Sequence, residues 1–542
     1  MLRVTSPATS LLFALVLLVT AGECAEPPRY HWDTNNGNWH TASNWSPERD
    51  FPNTLDRMYV DRQGGGTCVF GGTDDTVTNV YVQAGNTLQH SDNELTTWGN
   101  LFVGYDSGTG TYALTGSGAT LSPQNVLLGY GSSGIINQTA GECKVTDHLS
   151  IGSSPSGSVG TYNLSGGSLS VGGHLECGTY LSGTFNQTAG TVAVNETLYI
   201  GQHAGAEGEY NLGGGALVAP TVIVANAGNG EFNWTGGTLS GNSMTVGANG
   251  TLSVETDVQY AGDLYVDDGT IYVADGHTFT VTGTFGESGA NGTITKTGGG
   301  TLVIQGTQDH CSGCILDVTE GKVTFQTDAG GAAPNYNLAV TVSGTASVEF
   351  QTTQHLAALN LEDTSQVTVT SDGSKALVTK ALAIDESGGT PTATLDLANN
   401  NLIIDYDPTP NPFDDIAALI KNGWNGGAWN GTGITCDGNA SEYGLGFADN
   451  ADEDFATKTY LEGEEVDETC VLVRYTFYGN ANLDDRVDSA DMSILLGNYG
   501  DTMPDPDDIM PWWLGNFNYD DRVDSADLSK LLGNWGETES GG

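Results

Sequence analysis

Basic side chains are scarce in this chain. Of its 542 residues only 16 are Lys or Arg against 66 Asp or Glu, giving a formal charge of −50. No arginine occurs between Arg62 and Arg474, and residues 101–300 hold only Lys144 and Lys296. That balance argues against nucleic acid or an anionic lipid surface as partner, because both are held by clustered cations. Long apolar runs are also missing: the stretch Leu11 to Val19 is too short to cross a bilayer as a helix. Helix-forming periodicity is rare, and before the C-terminal tail only Asp414 to Asn422 carries it, with an apolar face at Ile416, Leu419 and Ile420. The eight cysteines are too widely spread for a disulfide-dense scaffold. No Gly-x-Ser-x-Gly elbow, zincin helix or phosphate loop occurs.

What is abundant is glycine, 77 residues, set at regular intervals. From about residue 110 one theme recurs every 20–26 residues: Gly110-Thr-Tyr-Ala-Leu, Gly134-Ile-Ile-Asn-Gln-Thr, Gly160-Thr-Tyr-Asn-Leu, Gly183-Thr-Phe-Asn-Gln-Thr, Gly208-Glu-Tyr-Asn-Leu, Gly230-Glu-Phe-Asn-Trp-Thr and Gly250-Thr-Leu-Ser-Val. Repeats of this length signal solenoids or arrays. Each unit holds short runs of alternating apolar and polar residues between small-residue turns, the pattern of strands. Three short strands per unit make one rung of a right-handed parallel β-helix, with Leu, Val, Tyr and Phe stacked inward. One rung cannot bury its own apolar face, so stability comes from stacking and the ends need caps. The aromatic before each Asn reads as core. Asn163, Asn186, Asn211 and Asn233 fall at one phase of the repeat and read as an amide ladder.

The N-terminus has the order of an export signal, with Arg3, the apolar run, then Thr20, Ala21 and Gly22. Residues 1–24 are read as a signal peptide, and the protein as secreted, extracellular or at the cell surface. Cys311-Ser-Gly-Cys314 is read as a local disulfide; a zinc half-site lacks a second pair, and a redox motif lacks the surrounding strand–helix pattern. Cys436 with Cys470 is the long-range pair favoured by position.

The tail repeats one sentence. Asn480-Ala-Asn482-Leu-Asp484-Asp485-Arg486-Val-Asp488-Ser489-Ala490-Asp491 recurs thirty-six residues later as Asn516-Phe-Asn518-Tyr-Asp520-Asp521-Arg522-Val-Asp524-Ser525-Ala526-Asp527. Oxygen side chains fall at loop positions 1, 3, 5, 9 and 12, with a backbone carbonyl at 7, the spacing that wraps a hard cation. The first ion takes Asn480, Asn482, Asp484, the Arg486 carbonyl, Asp488 and Asp491. The second takes Asn516, Asn518, Asp520, the Arg522 carbonyl, Asp524 and Asp527. All-oxygen ligation with three carboxylates selects calcium over zinc or copper, so two Ca2+ ions are expected. Position 6, where Gly ordinarily makes the sharp turn, is Asp485 and Asp521, and Asp tolerates left-handed geometry better than most residues.

These residues resemble a dockerin type I module, a duplicated loop–helix unit, over about residues 476–537. The resemblance implies a small all-α calcium module that docks to a cohesin-type partner. It places Ser489, Ala490, Ser525 and Ala526 on the recognition helices. The flanks carry looser likenesses. His31-Trp32-Asp33 through Trp39 to Asn44-Trp45-Ser46 resembles the tryptophan-rich opening ahead of surface β-solenoids. Gly292 to Gly306, with Gly321 to Phe325, resembles the autotransporter-associated β-strand repeat. Residues 390–475 are similar to the linker-like module that precedes dockerin pairs in bacterial surface proteins.

Parallel β-helices often host polysaccharide lyases, but such lyases need Arg or Lys as base, and this repeat region has almost none. Hydrolases of that shape use clustered aspartates. Asp267-Asp268 reads as a solvated turn, and neighbouring acids on a strand point to opposite faces. No catalytic residue is assigned. The expected organisation is a signal peptide (1–24), an N-terminal cap with the first rungs (25–100), a parallel β-helix (101–380), a small β-rich module (381–475) and a dockerin-like module (476–538). The expected function is that of an exported, non-catalytic interaction or scaffold protein with a calcium-dependent docking tail. Two alternatives stand beside it: a secreted polysaccharide-degrading β-helix enzyme recruited through its tail, and a passive β-helical adhesin. Polysaccharide is the second candidate partner.

Overall fold

The computed structural model describes residues 26–49, 54–155, 159–330, 336–406, 410–504 and 509–539, so the expected signal peptide lies outside the described residues. The sequence period is a structural period. Sixteen strands, from Asn36–Asn38 to Leu382–Ile384, form one continuous parallel sheet, and the chain makes about 15 turns of a β-solenoid. Equivalent repeat residues lie directly on one another: Gly160 pairs with Gly183, Tyr162 with Phe185 and Asn163 with Asn186. A second and a third strand complete each turn, as Ser168–Val171 and Leu175–Cys177 do for the unit that opens at Gly160.

Alternation along each strand sends every second side chain inward. Tyr162, Phe185, Tyr210 and Phe232 are fully buried and stack ring on ring at 4.8, 4.8 and 5.5 Å. Burying one such ring contributes about 2–3 kcal/mol of transfer free energy. Their hydroxyls are satisfied inside the coil, since Tyr162 Oη donates to Gln138 Oε1 and Tyr210 Oη to Gln187 Oε1, both at 2.6 Å. Each of these Gln amides donates in turn to two backbone carbonyls, so the buried polar pairs are complete.

The amide ladder is present on the outer side of the same strands. Asn163, Asn186, Asn211 and Asn233 each donate through Nδ2 to the Oδ1 of the Asn one rung earlier, beginning at Asn137, over 2.8–2.9 Å. A second ladder runs along a corner, where each side chain accepts from the following rung: Asn79 and Asn125 through Oδ1, and His148 and His174 through Nδ1, accept backbone N–H groups, and Asn100 Oδ1 accepts Asn125 Nδ2. Corner glycines make the tight bends. A Cβ on Gly201, at φ +75°, would stand 2.1 Å from the carbonyl oxygen of Asn229.

Both ends of the coil are closed. At the N-terminal end Trp32, Trp39 and Trp45 pack edge to face at 4.9–5.0 Å. Below them Arg49, fully buried, bonds Asp56 and Asp75, and Asp75 also accepts the Trp39 indole N–H at 2.7 Å. At the other end parallel stacking runs past residue 380, through Thr394–Asp396 and Asn401–Asp405. Strand Cys470–Phe477 then pairs antiparallel with Asn401–Asp405 and with Tyr443–Asp449, which ends the ladder. Helix α1, Phe413–Trp424, lies beside this end and buries Ile416, Leu419 and Ile420. Its residue Gly423 touches the chain so closely that a Cβ would fall 1.8 Å from the Ile434 carbonyl oxygen.

Cys311 and Cys314 are disulfide-bonded. Cys436 and Cys470 are separate, buried free thiols, because the first follows a strand of one parallel sheet and the second opens the antiparallel closing strand. Desolvation pushes the Cys470 thiol up to about 12, so it stays protonated and inert.

Candidate metal centre

Each tail loop runs into a helix, α2 (Ser489–Gly497) and α3 (Ser525–Gly533). The last two acids of each loop also build the helix start. Asp488 and Asp524 are N-caps that accept from Ala490 N and Ala526 N at 2.7 Å, and Asp491 and Asp527 return the bond to the cap N–H. Loop and helix are therefore one cooperative unit.

The first-position amides are oriented from behind. Asn516 Nδ2 donates to the carbonyls of Met510 and Asp520 at 2.7 and 2.9 Å, and Asn480 Nδ2 donates to Thr476 Oγ1 and the Asp484 carbonyl. That turns each Oδ1 toward the loop, where it accepts Asp484 N at 3.1 Å in the first copy and Asn518 N at 3.3 Å in the second. Asp484 and Asp520 each accept the position-7 N–H, at 2.8 and 3.0 Å. Asp491 and Asp527 are fully buried and accept only backbone N–H groups.

The donor set can be tested against a cation by its electrostatics. Burial holds the Asp491 carboxyl above its ordinary range, with the Asp484 charge adding to the effect. Asp527 is pushed up to about 6 by burial, and the charges of Asp520 and Asp524 raise it too. Three carboxylates crowded around amide and carbonyl oxygens, with no ammonium or guanidinium side chain among the described residues bonded to any of the three, fit a divalent hard cation. Carboxylate oxygens and sulfurs also lie within 4.8 Å of one another at Asp405/Asp467/Cys470, where the sulfur is a free thiol, and at Glu287/Cys311/Cys314, where the two sulfurs form the disulfide.

Asp485 and Asp521 are not the left-handed residues. The positive φ falls at position 4, on Leu483 (51°) and Tyr519 (58°). Both are non-glycine residues in a strained region, and both are anchored by burial, at 2% and 1% exposure. Leu483 lies in the contact between the loop and Gly446, and Tyr519 packs among Trp424, Trp429 and Trp512.

The tail is seated on the closed end of the solenoid. Arg474, on the closing strand Cys470–Phe477, donates to the carbonyls of Leu483 and Asp484 at 2.9 and 3.1 Å and pairs with Glu462, Asp485 and Glu539. Lys530 lies 3.5 Å over the Tyr478 ring and donates to the Ala440 carbonyl. Sequence reasoning did not find Arg474, although its being the first arginine after Arg62 was a signal.

The outward sides of α2 and α3 match. Ser489, Ala490, Ser493 and Leu496 are exposed on the first, and Ser525, Ala526, Ser529 and Leu532 on the second. The half-buried positions between them differ, Met492 and Ile494 against Leu528 and Lys530. Just beyond the helices, Tyr499 and Trp535 are 48% and 47% exposed, as Leu496 and Leu532 are 57% and 55%. Asp267 and Asp268, by contrast, serve the backbone of the next turn: Asp267 accepts from Ser288 N and Gly289 N, and Asp268 from Thr293 N. No helix among the described residues is long and apolar enough to cross a membrane. Compared with protein-family models, curated proteins and solved structures, the chain matches none of them.

Proposed function

We propose that this is an exported, non-catalytic scaffold or interaction protein. It presents a rigid acidic solenoid, taken as right-handed, and docks through a two-calcium dockerin-like tail. The observation that carries this reading is the identity of the two outward helix faces. Exposed positions ordinarily drift while buried ones are held by packing. Here the exposed Ser-Ala-Ser-Leu faces are the same in both copies, and the half-buried positions differ according to what each copy packs against. Four large apolar side chains, Leu496, Tyr499, Leu532 and Trp535, stand in the water in matched pairs. Exposed apolar side chains grouped in this way mark an interaction surface, and the partner of fitting chemistry is a cohesin-type domain.

The test is capture of purified cohesin-type domains by the full chain, in calcium and in chelator. Retention is expected in calcium, loss in chelator, and loss in Leu496→Glu/Leu532→Glu. Capture that ignores both chelator and that double substitution would sink the reading.

A second reading, a surface adhesin whose tail is only a calcium-stiffened cap, is favoured by the seating of the tail on Arg474 and Leu445. It predicts no cohesin capture, with chelator lowering stability alone. A polysaccharide-cleaving enzyme would show turnover on neutral or acidic glycans that Asp267→Ala/Asp268→Ala abolishes; none is expected.

A further inference from the structure

At the thirteenth of the sixteen strands of the long parallel sheet, Cys314–Val318, the Cys311–Cys314 disulfide sits against a buried acid–base pair. An oxygen of Glu287 and the two sulfurs all lie within 4.8 Å of one another. The Glu287 side chain is completely buried, as is that of His310, the residue immediately before the disulfide. Glu287 Oε2 and His310 Nδ1 are 2.9 Å apart, and His310 Nε2 is 3.0 Å from Gln308 Oε1. Because the Gln308 amide nitrogen donates to Thr327, its oxygen is left to accept from Nε2–H. The contact between Glu287 and Nδ1 then shares one proton, carried by the carboxyl or by the imidazole.

Among the described residues Glu287 Oε1 has no hydrogen-bond partner. A buried carboxylate oxygen left unpaired is costly, so its persistence calls for an explanation beyond packing. The two cysteines are unequal: Cys314 is fully buried, whereas Cys311 is half-exposed at the head of the exposed Ser312-Gly313 turn.

We propose that Cys311–Cys314 is a redox-active disulfide that exchanges two electrons with dithiols, with Glu287 as its proton carrier. A reachable sulfur, a buried sulfur and a shielded acid beside both are what thiol–disulfide exchange requires. A donor thiol gives its proton to Glu287 and attacks Cys311 Sγ. The new sulfur–sulfur bond forms as the Cys311–Cys314 bond breaks. The electron pair goes to Cys314, which takes the proton from Glu287. The donor's second thiol then gives its proton to water and attacks the donor's own sulfur in the mixed disulfide, releasing Cys311 as a thiolate that takes a proton back from water. The donor leaves as a disulfide, and two electrons and two protons have passed to the protein. The turn between the sulfurs supplies the access and the Glu287–His310 pair supplies the proton, so no strand–helix framework is needed.

The experiment follows reduction of the full-length chain by dithiothreitol, and reoxidation by glutathione disulfide, with maleimide trapping of free thiols under native conditions. The five buried free thiols serve as internal controls that should not react. The expected result is reversible exchange confined to Cys311 and Cys314, slowed about tenfold or more in both directions in Glu287→Gln. Because both rates fall together, the dithiol–disulfide equilibrium should move less than either rate, which a merely loosened structure would not produce. His310→Asn, which removes the shared proton but leaves Glu287, should slow exchange as well and guards against a Glu287 variant that fails to fold. A disulfide that dithiothreitol cannot reduce without unfolding the chain would overturn the proposal, as would unchanged rates in both variants. So would a reduced pair that binds zinc one to one and no longer reoxidises.

Discussion

Tyr519 Oη lies 3.0 Å from the Leu445 carbonyl and 3.1 Å from the Leu445 N–H, so one phenol on the second tail loop bonds both backbone groups of one residue in strand Tyr443–Asp449. The same residue carries the left-handed turn of the second loop. Loop geometry and attachment to the solenoid thus depend on one side chain. Tyr519→Phe removes both bonds, keeps the ring, and leaves two buried backbone groups unpaired. We expect a loss of about 1–3 kcal/mol, read as faster hydrogen exchange at Leu445 and an earlier unfolding transition of the tail, with the solenoid transition unmoved.

Calcium should act through the same contact. Isothermal titration of the full chain is expected to show about two sites in the tail, and Asp484→Ala with Asp520→Ala to remove both. If binding is confined to the folded loops, free calcium at a hundredfold excess over Kd stabilises by about 2.7 kcal/mol per site. Chelator should therefore lower the unfolding temperature of the tail. An unchanged stoichiometry in the double variant would refute the ligand assignment.

The amide ladder makes a position-dependent prediction. Asn186 both donates to Asn163 and accepts from Asn211, whereas Asn233 lies at the end of the run and donates to Asn211. Asn186→Ala breaks two half-buried bonds, and Asn233→Ala breaks one. With each bond worth about 0.5–1.5 kcal/mol net, denaturant midpoints should fall further for the inner variant. Equal effects would mean that the amides act independently of their neighbours.

The repeat was legible because its period is enforced at every turn: stacking places Asn on Asn and aromatic on aromatic, so a residue fixed by its rung neighbours also recurs in sequence. The duplicated loop–helix units of the tail were legible for a related reason, since the spacing that caps each helix is local. What could not be read were contacts between residues far apart in the chain. His355 reaches Glu464, Arg474 reaches Glu539, and Glu287 comes to lie beside Cys311 only because one turn of the coil stacks on the next. The redox reading of Cys311–Cys314 was set aside on sequence grounds for lack of a strand–helix pattern, and only the fold brings the buried acid to it. Position 6 misled as well: burial of Leu483 and Tyr519, invisible in a local motif, moved the left-handed turn two residues earlier.

A last prediction concerns pH and the joint between the solenoid and the hairpin that carries Glu464. His355 Nδ1 bonds Asp328 at 2.7 Å and Nε2 bonds Glu464 at 3.1 Å, and the Tyr336 ring stacks on the imidazole at 5.5 Å. Asp328, and then Glu464, hold the imidazolium and raise the His355 pKa above its ordinary value against the effect of burial. A histidine whose pKa is higher in the folded state contributes stability that is fully present below its unfolded value, about 6.5, and is lost as pH rises through the folded value. The short hairpin that carries Glu464, in which Tyr460–Leu461 pairs antiparallel with Glu464–Glu465, should therefore be held more firmly at pH 6 than at pH 8. Protease nicking or hydrogen exchange around residues 460–466, measured at both pH values with calcium held saturating, would report it. Lowering pH also relieves repulsion in a chain of charge −50, so wild type must be compared with His355→Gln, which keeps hydrogen-bonding capacity but cannot take the charge. The difference between the two proteins should be large at pH 6 and shrink toward pH 8. A difference that grew with pH would show that His355 is held neutral and that the two carboxylates do not charge it.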